Sequence, residues 1–78
     1  MNNFTIVLDV SSSKTLYEQL YQYIKNEIKS GNLTENEKLP SKKALSAHLH
    51  ISQNTVETAY SMLVQEGFVN AKPKSGFY

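Results

Sequence analysis

The stretch of residues 39–67 limits most strongly what this chain can fold into, because two helix starts fall within it. Ser41 and Ser52 each precede a periodic apolar segment. A serine at that place accepts a hydrogen bond from a free backbone N–H and so fixes where a helix begins. Only His50 and Ile51 separate the two segments. Two helices joined by so short a link cross at a steep angle and share a small core, which predicts a helix–turn–helix.

Both segments repeat apolar residues at three- and four-residue spacing, which indicates one buried face on each helix. The predicted core positions are Ala44, Leu45 and Leu49 in the first helix and Val56, Tyr60, Leu63 and Val64 in the second. The other positions of the second helix carry short, mostly uncharged hydrogen-bonding side chains, namely Gln53, Asn54, Thr55, Glu57, Thr58 and Ser61. Amides pair with adenine edges and threonine methyls contact thymine methyls, so this face is typical of base recognition. Taken alone, an ordinary polar surface helix explains it equally well.

Length and composition exclude several classes of protein. The 78 residues allow one domain with one small core. The chain has no cysteine, so disulfides and cysteine zinc sites are excluded, and its two histidines do not form a metal site without further ligands. It has no glycine-rich phosphate loop and no carboxylate pair in a pocket-like context, so we expect no enzymatic activity. No apolar run approaches the roughly 20 residues that span a bilayer, and no signal peptide is visible, so we expect a cytoplasmic protein with no membrane partner.

The charged residues are unevenly distributed, although the formal net charge is only +1. Three lysines and no acid lie in residues 38–56, and two lysines and no acid lie in residues 70–78. A basic face with acids elsewhere favours a surface that binds phosphate groups. Chance clustering in a short chain produces the same pattern, so the charge distribution alone does not decide the question.

The segment before the helix–turn–helix predicts an arm followed by a helix. Residues 4–8 alternate loosely and contain β-branched side chains, so residues 1–14 are expected to form an arm with a short strand. Thr15 and Glu18 form a capping box that starts a helix of about four turns, and Gly31 is expected to end it. The apolar stripe of this helix comprises Leu16, Leu20, Tyr23, Ile24 and Ile28.

The segment after the helix–turn–helix predicts a β-hairpin. Residues 68–71 and 77–78 are strand candidates, and residues 72–76 form a turn that carries two lysines. The hairpin would project those lysines outward, where they could meet phosphates. Because the sequence stops within the second strand, we expect it to be a fragment of a longer protein.

In chain order, the sequence contains the segments LYEQLYQYIKNEIKSGNL, LPSKKALSAHLHIS, QNTVETAYSMLVQEGFV and KSGFY. These segments resemble the DNA-binding domain of the GntR family of bacterial transcriptional regulators over nearly the whole chain. The resemblance implies a mainly α winged helix–turn–helix in residues 15–78, with three helices, a small β-hairpin wing and room for a short N-terminal strand. It also implies double-stranded DNA as the partner.

The segments NTVETAY and KPKSGFY are most similar in sequence to the MocR subfamily, and the YtrA subfamily is the nearest alternative. In the MocR subfamily a linker joins the DNA-binding domain to a large aminotransferase-like domain that binds pyridoxal phosphate as an effector. The resemblance therefore implies no cofactor in this segment and pyridoxal phosphate in a missing C-terminal domain. Relatives dimerise mainly through that domain, so we expect the full-length protein to be a homodimer.

The resemblance further implies which residues contact DNA. The candidates are Ser41, Lys42, Lys43, Ser52, Gln53, Asn54, Thr55, Glu57, Thr58, Lys72, Lys74, Ser75 and Gly76. Lys43 stands where the family carries arginine, so it keeps the charge without the planar fork. Gln53 also replaces a usual arginine and could pair with adenine. Glu57 stands where several relatives carry arginine, and it could accept from a cytosine amino group, pair with a lysine or face away.

Two departures from the resemblance concern the backbone. His50 in the turn and Asn36 in the preceding loop stand where many relatives have glycine. Both residues are expected to adopt a positive φ, which Asn and His tolerate better than most side chains do.

The residues and the resemblance allow two functions. The first is sequence-specific DNA binding, with the second helix of the motif in the major groove and Gly76 letting the wing approach the minor groove. The alternative is a winged helix that binds another protein through Tyr17, Tyr21 and Phe77, because a fold does not fix a function. The lysine-rich face and the amide-rich helix favour the first.

Overall fold

In a computed structural model, the protein is a winged helix–turn–helix with three helices followed by a two-stranded hairpin. The structure describes residues 6–33, 38–72 and 76–77, without the side chain of Lys72. The helices are α1 (Leu16–Ser30), α2 (Lys42–Leu49) and α3 (Gln53–Gln65). The strands are β1 (Ala71–Lys72) and β2 (Gly76–Phe77), which pair antiparallel with Ala71 opposite Phe77 and Lys72 opposite Gly76.

The boundaries of α1 are set by local hydrogen bonds that its sequence predicts. Thr15 is the N-cap, and its hydroxyl accepts a hydrogen bond from the Glu18 N–H at 3.3 Å. At the other end, Gly31 adopts the left-handed conformation with φ 85°, and its N–H donates to the Ile28 carbonyl at 3.2 Å. This conformation costs glycine little free energy, because glycine has no Cβ to clash with the backbone.

The helix caps and the backbone conformation of the turn between α2 and α3 also agree with the sequence-based predictions. Ser41 and Ser52 cap the two helices by accepting hydrogen bonds from the N–H groups of Ala44 and Thr55. His50 ends α2 with φ 58° and ψ 45°, which confirms the predicted positive φ. Asn36, for which the same conformation is predicted, lies outside the described residues.

The core lies between α1 and α3 and is closed at one side by α2. The most deeply buried side chains come from the central residues of these helices, namely Leu20, Ile24, Leu45, Val56, Ala59, Tyr60 and Leu63. Tyr21 of α1 and three residues of the connecting segments, Leu33, Leu39 and Val69, complete it. The predicted face of α2 is wrong at one position, because Ala44 is exposed and Ser46 is buried instead. The Ser46 hydroxyl is satisfied by donating to the Lys43 carbonyl, so the helix can turn this residue inward.

The end of α3 explains why the first strand of the hairpin starts later than residues 68–71 predict. Gly67 adopts φ 83°, and the N–H groups of Phe68 and Val69 then donate to the Leu63 carbonyl at 2.9 and 3.3 Å. Both amides satisfy this one carbonyl, which the helix end leaves free, so they are not available to a strand. The strand prediction for residues 68–70 is therefore wrong, and pairing begins at Ala71.

The described part of the N-terminal arm, residues 6–14, contains no strand; Ile6 packs against the core, and one amide side chain of α1 bonds to the arm. The Gln19 side chain accepts from the Asp9 N–H and donates to the Asp9 carbonyl, both at 2.9 Å. This pair of bonds occupies the same backbone groups that a strand partner would use. The start of the predicted strand, at residues 4 and 5, lies outside the described residues.

Candidate nucleic-acid interface

The solvent-facing side of α3 is a continuous polar stripe, which we call the reading face. It consists of the exposed residues Gln53, Asn54, Glu57, Thr58 and Ser61. With 3.6 residues per turn, these five positions fall within an arc of about 140°. The core residues of α3 occupy the other side of the helix, so burial of the apolar face leaves the reading face directed away from the domain.

Several hydroxyl groups on and beside the reading face already have partners within the helix. The Ser52 and Thr55 hydroxyls lie 2.8 Å apart, and the Ser52 hydroxyl also accepts from the Thr55 N–H. The Thr58 hydroxyl donates to the Asn54 carbonyl at 2.9 Å. Thr58 therefore presents its methyl group and an acceptor lone pair to a ligand. The side-chain amides of Gln53 and Asn54 make no hydrogen bond to any described residue, so they remain able to pair with an external donor or acceptor.

The N-terminus of α2 lies beside the reading face and contributes two lysines. The Lys42 Nζ is 3.6 Å from the Glu57 Oε1, and both side chains are partly exposed, at 38% and 55%. Of the three possibilities for Glu57 in the sequence, pairing with a lysine is the one seen in this structure. Lys43 is exposed and pairs with no acid among the described residues. The two lysines therefore differ, because the partly exposed Lys42 ammonium is shared with the Glu57 carboxylate and Lys43 has no such partner among the described residues.

The hairpin places its second strand against the segment that leads into α2. The Leu39 N–H donates to the Phe77 carbonyl at 2.9 Å, so β2 is bonded to the backbone just before α2. Gly76 is the first residue of β2 and lies opposite Lys72 of β1. The Lys72 side chain, Lys74 and Ser75 lie outside the described residues, so their predicted contacts are not placed.

Tyr60 joins all three parts of this surface from the inside. It is fully buried in α3, and its hydroxyl donates to the Pro40 carbonyl at 2.7 Å. The centroids of the Tyr60 and Phe77 rings lie 4.9 Å apart. Burial raises the pKa of the Tyr60 phenol well above its ordinary value. The sequence predicts Tyr60 only as a core residue. A phenol on an otherwise apolar face does signal a buried hydrogen bond, because a buried hydroxyl needs a partner.

The three anchors of the alternative protein-binding surface do not form an exposed aromatic patch. Tyr21 is buried, and its hydroxyl donates to the Glu66 Oε1 at 2.5 Å. The Lys25 Nζ lies 5.4 Å from the Tyr21 ring centroid and 5.5 Å from that of Phe68, so this corner is occupied within the domain. Phe77 is half-buried against Tyr60, and only Tyr17 is exposed, at 37%. The protein-binding alternative takes Tyr21 as an exposed anchor, and this is wrong because α1 packs this side on the end of α3.

Neither a metal site nor a membrane-spanning helix is found in the part of the chain that the structure describes. Among residues 6–33, 38–72 and 76–77, no group of three or more His, Asp or Glu side chains is placed to hold a metal ion. Within the same ranges, no helix is both long and apolar enough to cross a membrane.

The family model for bacterial regulatory proteins of the gntR family matches residues 16–78. The match covers all three helices and both strands. It therefore includes every residue of the reading face and every lysine of the interface.

Two curated relatives and one solved structure illustrate the similarity. An uncharacterised HTH-type transcriptional regulator, YhdI of Bacillus subtilis, is 45% identical over 76 residues, which are 97% of this chain and 16% of the relative. The probable rhizopine catabolism regulatory protein MocR of Rhizobium meliloti is 34% identical over 71 residues, 91% of this chain and 14% of the relative. The structure of YtrA from Sulfolobus acidocaldarius, a GntR-family transcription factor, superposes with a TM-score of 0.84 at 35% identity, covering 88% of this chain and 73% of that one. The chain thus spans about one sixth of the length of the curated relatives YhdI and MocR.

Proposed function

Since the chain belongs to the gntR family of bacterial regulatory proteins and is the DNA-binding domain of a transcriptional regulator, we propose that α3 lies in the major groove of double-stranded DNA and reads bases there. The reading face carries this proposal. It is a polar, amide-bearing stripe on the exposed side of a helix whose other side is fixed in the core. A helix fits the major groove, where each base pair presents a distinct set of donors and acceptors.

The proposed base contacts come from the N-terminal half of α3. The side-chain amides of Gln53 and Asn54, which bond to no described residue, can pair with an adenine edge. Thr58, whose hydroxyl is turned to the helix backbone, presents a methyl group suited to a thymine methyl. Thr55 remains a proposed DNA contact, and because it is half-buried and bonded to Ser52 it also holds the start of α3.

The proposed phosphate contacts surround the reading face. Lys43 and Lys42 flank it at the N-terminus of α2, and the backbone N–H groups behind the Ser41 and Ser52 caps add partial positive charge. In the wing we propose contacts from Lys72, Lys74, Ser75 and Gly76, which the sequence resemblance implies. These contacts position the domain on DNA, and they make its affinity depend on salt.

For the whole protein, we propose a cytoplasmic homodimer that reads two half-sites about 10 base pairs apart or a multiple of that distance. Its relatives YhdI and MocR are roughly six or seven times longer than this chain. We propose a further domain that binds pyridoxal phosphate, as in the MocR subfamily. We propose no cofactor for residues 1–78 themselves.

A salt titration combined with NMR shift mapping tests the DNA-binding surface. The protein is added to labelled random-sequence duplex DNA at several salt concentrations. With four lysines at phosphates, log K should fall with log salt at a slope of roughly −3 to −4. Amide shifts should centre on Lys43, on residues 52–58 and on residues 72–76. Binding that does not depend on salt, or shifts centred on Tyr17, would contradict the proposed surface.

A further inference from the structure

We infer that Glu57 is a specificity-determining residue of the reading face, which selects a cytosine through its carboxylate while Lys42 balances its charge. This inference rests on the proposed function, because it needs α3 to lie in the major groove. It assigns Glu57 a positive role, although a carboxylate on a DNA-facing helix would otherwise oppose binding.

Glu57 lies within the reading face and not at its margin. It is one turn after Gln53 and one turn before Ser61, so these three side chains form a row along the helix. Asn54 and Thr58 lie on one side of this row. A helix that places Gln53 and Asn54 at base edges therefore also directs Glu57 into the groove. Its side chain is 55% exposed, so the carboxylate is accessible to a ligand.

Lys42 makes the carboxylate tolerable at that place. The Lys42 Nζ lies 3.6 Å from the Glu57 Oε1 and comes from a different helix, so the pair spans the junction of α2 and α3. The contact involves one carboxylate oxygen, and the second oxygen bonds to no described residue. The pair thus reduces the repulsion between Glu57 and DNA phosphates and leaves one oxygen free to accept a hydrogen bond.

The chemistry of a carboxylate favours one base of the four. Ionised Glu57 can only accept hydrogen bonds. In the major groove, cytosine presents an amino donor, guanine presents two acceptors, and thymine presents an acceptor and a methyl group. Adenine presents an amino donor beside an acceptor, which a carboxylate matches only in part. Glu57 therefore attracts cytosine and disfavours guanine and thymine, so that selection comes from repulsion as well as from attraction.

A parallel binding selection tests this assignment. The protein and its Glu57→Gln variant are each used to select duplexes from a random-sequence library, and the bound DNA is sequenced. We expect the protein to enrich cytosine at one position. The variant should replace it with adenine there, because glutamine pairs with adenine through a donor and an acceptor. In competition titrations with duplexes that differ at that base pair, the ratio of affinities should change by about 5- to 100-fold.

Two further variants separate base selection from charge. Lys42→Gln should weaken binding to all duplexes and keep the cytosine preference, because it removes a phosphate contact and leaves the carboxylate. Glu66→Gln changes the net charge as Glu57→Gln does, but it lies at the far end of α3 against Tyr21, so the selected sequence should be unchanged. Thermal unfolding by circular dichroism verifies that each variant is folded.

The outcomes distinguish this inference from the proposed function. If the protein and Glu57→Gln enrich the same base at every position, Glu57 does not select a base, even if the variant binds every duplex more tightly. In that case the proposed DNA-reading function stands and the role of Glu57 is overturned. If the protein itself enriches no sequence, the proposed base reading fails, and the role of Glu57 fails with it.

Discussion

The Tyr60 hydroxyl donates a hydrogen bond to the Pro40 carbonyl at 2.7 Å, so the middle of α3 is tied to the residue just before the α2 cap. The ring of Tyr60 also packs on Phe77 of β2, and β2 is bonded to Leu39. One buried side chain therefore fixes the relative positions of the reading face, the α2 lysines and the base of the hairpin. DNA contacts that come from three separate segments need such a link, because each must meet its own part of one rigid duplex.

Replacing Tyr60 with phenylalanine removes this link and keeps most of the packing. The Pro40 carbonyl loses its hydrogen-bond partner, so we expect the free energy of unfolding to fall by about 0.5–1.5 kcal/mol. Urea denaturation measures this change. Tyr17→Phe is the matched control, because that side chain is exposed and should leave the stability unchanged. Equal effects of the two substitutions would show that the hydrogen bond to Pro40 contributes nothing.

The buried phenol of Tyr60 also predicts how stability depends on alkaline pH. Burial raises its pKa in the folded protein, whereas in the unfolded chain the pKa stays near 10. Its contribution is fully present below pH 10 and is lost as the pH rises further, because only the unfolded state then releases the proton. Between pH 9 and pH 11 the protein should lose about 1 kcal/mol more stability than Tyr60→Phe. If urea denaturation showed the same loss of stability between pH 9 and pH 11 for the protein and for Tyr60→Phe, that result would argue against a buried neutral phenol.

The sequence predicts this fold well where a structural feature depends on neighbouring residues. The caps at Thr15, Ser41 and Ser52 are bonds within three residues, and each is found as predicted. Such caps are fixed by backbone geometry and side-chain chemistry, so a sequence shows them without knowledge of the rest of the fold. The positive φ of His50 is predicted from the resemblance, because many relatives carry glycine at that place, and the structure confirms it.

The failed predictions have both local and distant causes, and the strand prediction for residues 68–70 fails locally, because the Phe68 and Val69 amides bond to the Leu63 carbonyl. Ser46 replaces Ala44 in the core because, at about 100° per residue, it lies about 80° from the centre of the face formed by Leu45 and Leu49, whereas Ala44 lies about 120° from it. Tyr21 is buried because Glu66 lies across from it, which α1 alone cannot indicate. The Lys42–Glu57 pair likewise joins two helices, so the sequence only allows it among alternatives.

The cap of the reading helix should contribute measurably to stability. Ser52→Ala removes the acceptor of the Thr55 N–H and also frees the Thr55 hydroxyl, so we expect a loss of about 1 kcal/mol. Ser61→Ala is the control in the same helix, because it removes an exposed hydroxyl from the helix interior and improves helix propensity. The midpoint of thermal unfolding should be lower for Ser52→Ala than for the unsubstituted protein, and it should be equal or higher for Ser61→Ala. The reverse order would exclude Ser52 as the cap that fixes α3.

Two histidines close together in the chain should respond oppositely to glycine. His50 has φ 58°, which is costly for a side chain with a Cβ, so His50→Gly should stabilise the protein by up to about 1 kcal/mol. His48 lies within α2, so His48→Gly should destabilise it by about 1 kcal/mol, because glycine is a poor helix former. Chemical denaturation of both variants measures the difference. Effects of the same sign would contradict the strain assigned to His50.

Lys43 and Asn54 should affect DNA binding in different ways, because one is proposed to contact phosphate and the other a base. Lys43→Ala should weaken binding to all sequences and make the salt slope less steep by about 1, since one fewer counterion is released. Asn54→Ala should keep that slope and lose about 1–3 kcal/mol of discrimination at one base pair. Titrations of a selected duplex and a scrambled duplex at several salt concentrations separate the two effects. If Lys43→Ala changed sequence preference, or if Asn54→Ala weakened both duplexes equally, the division between a phosphate contact at α2 and a base contact at α3 would be wrong.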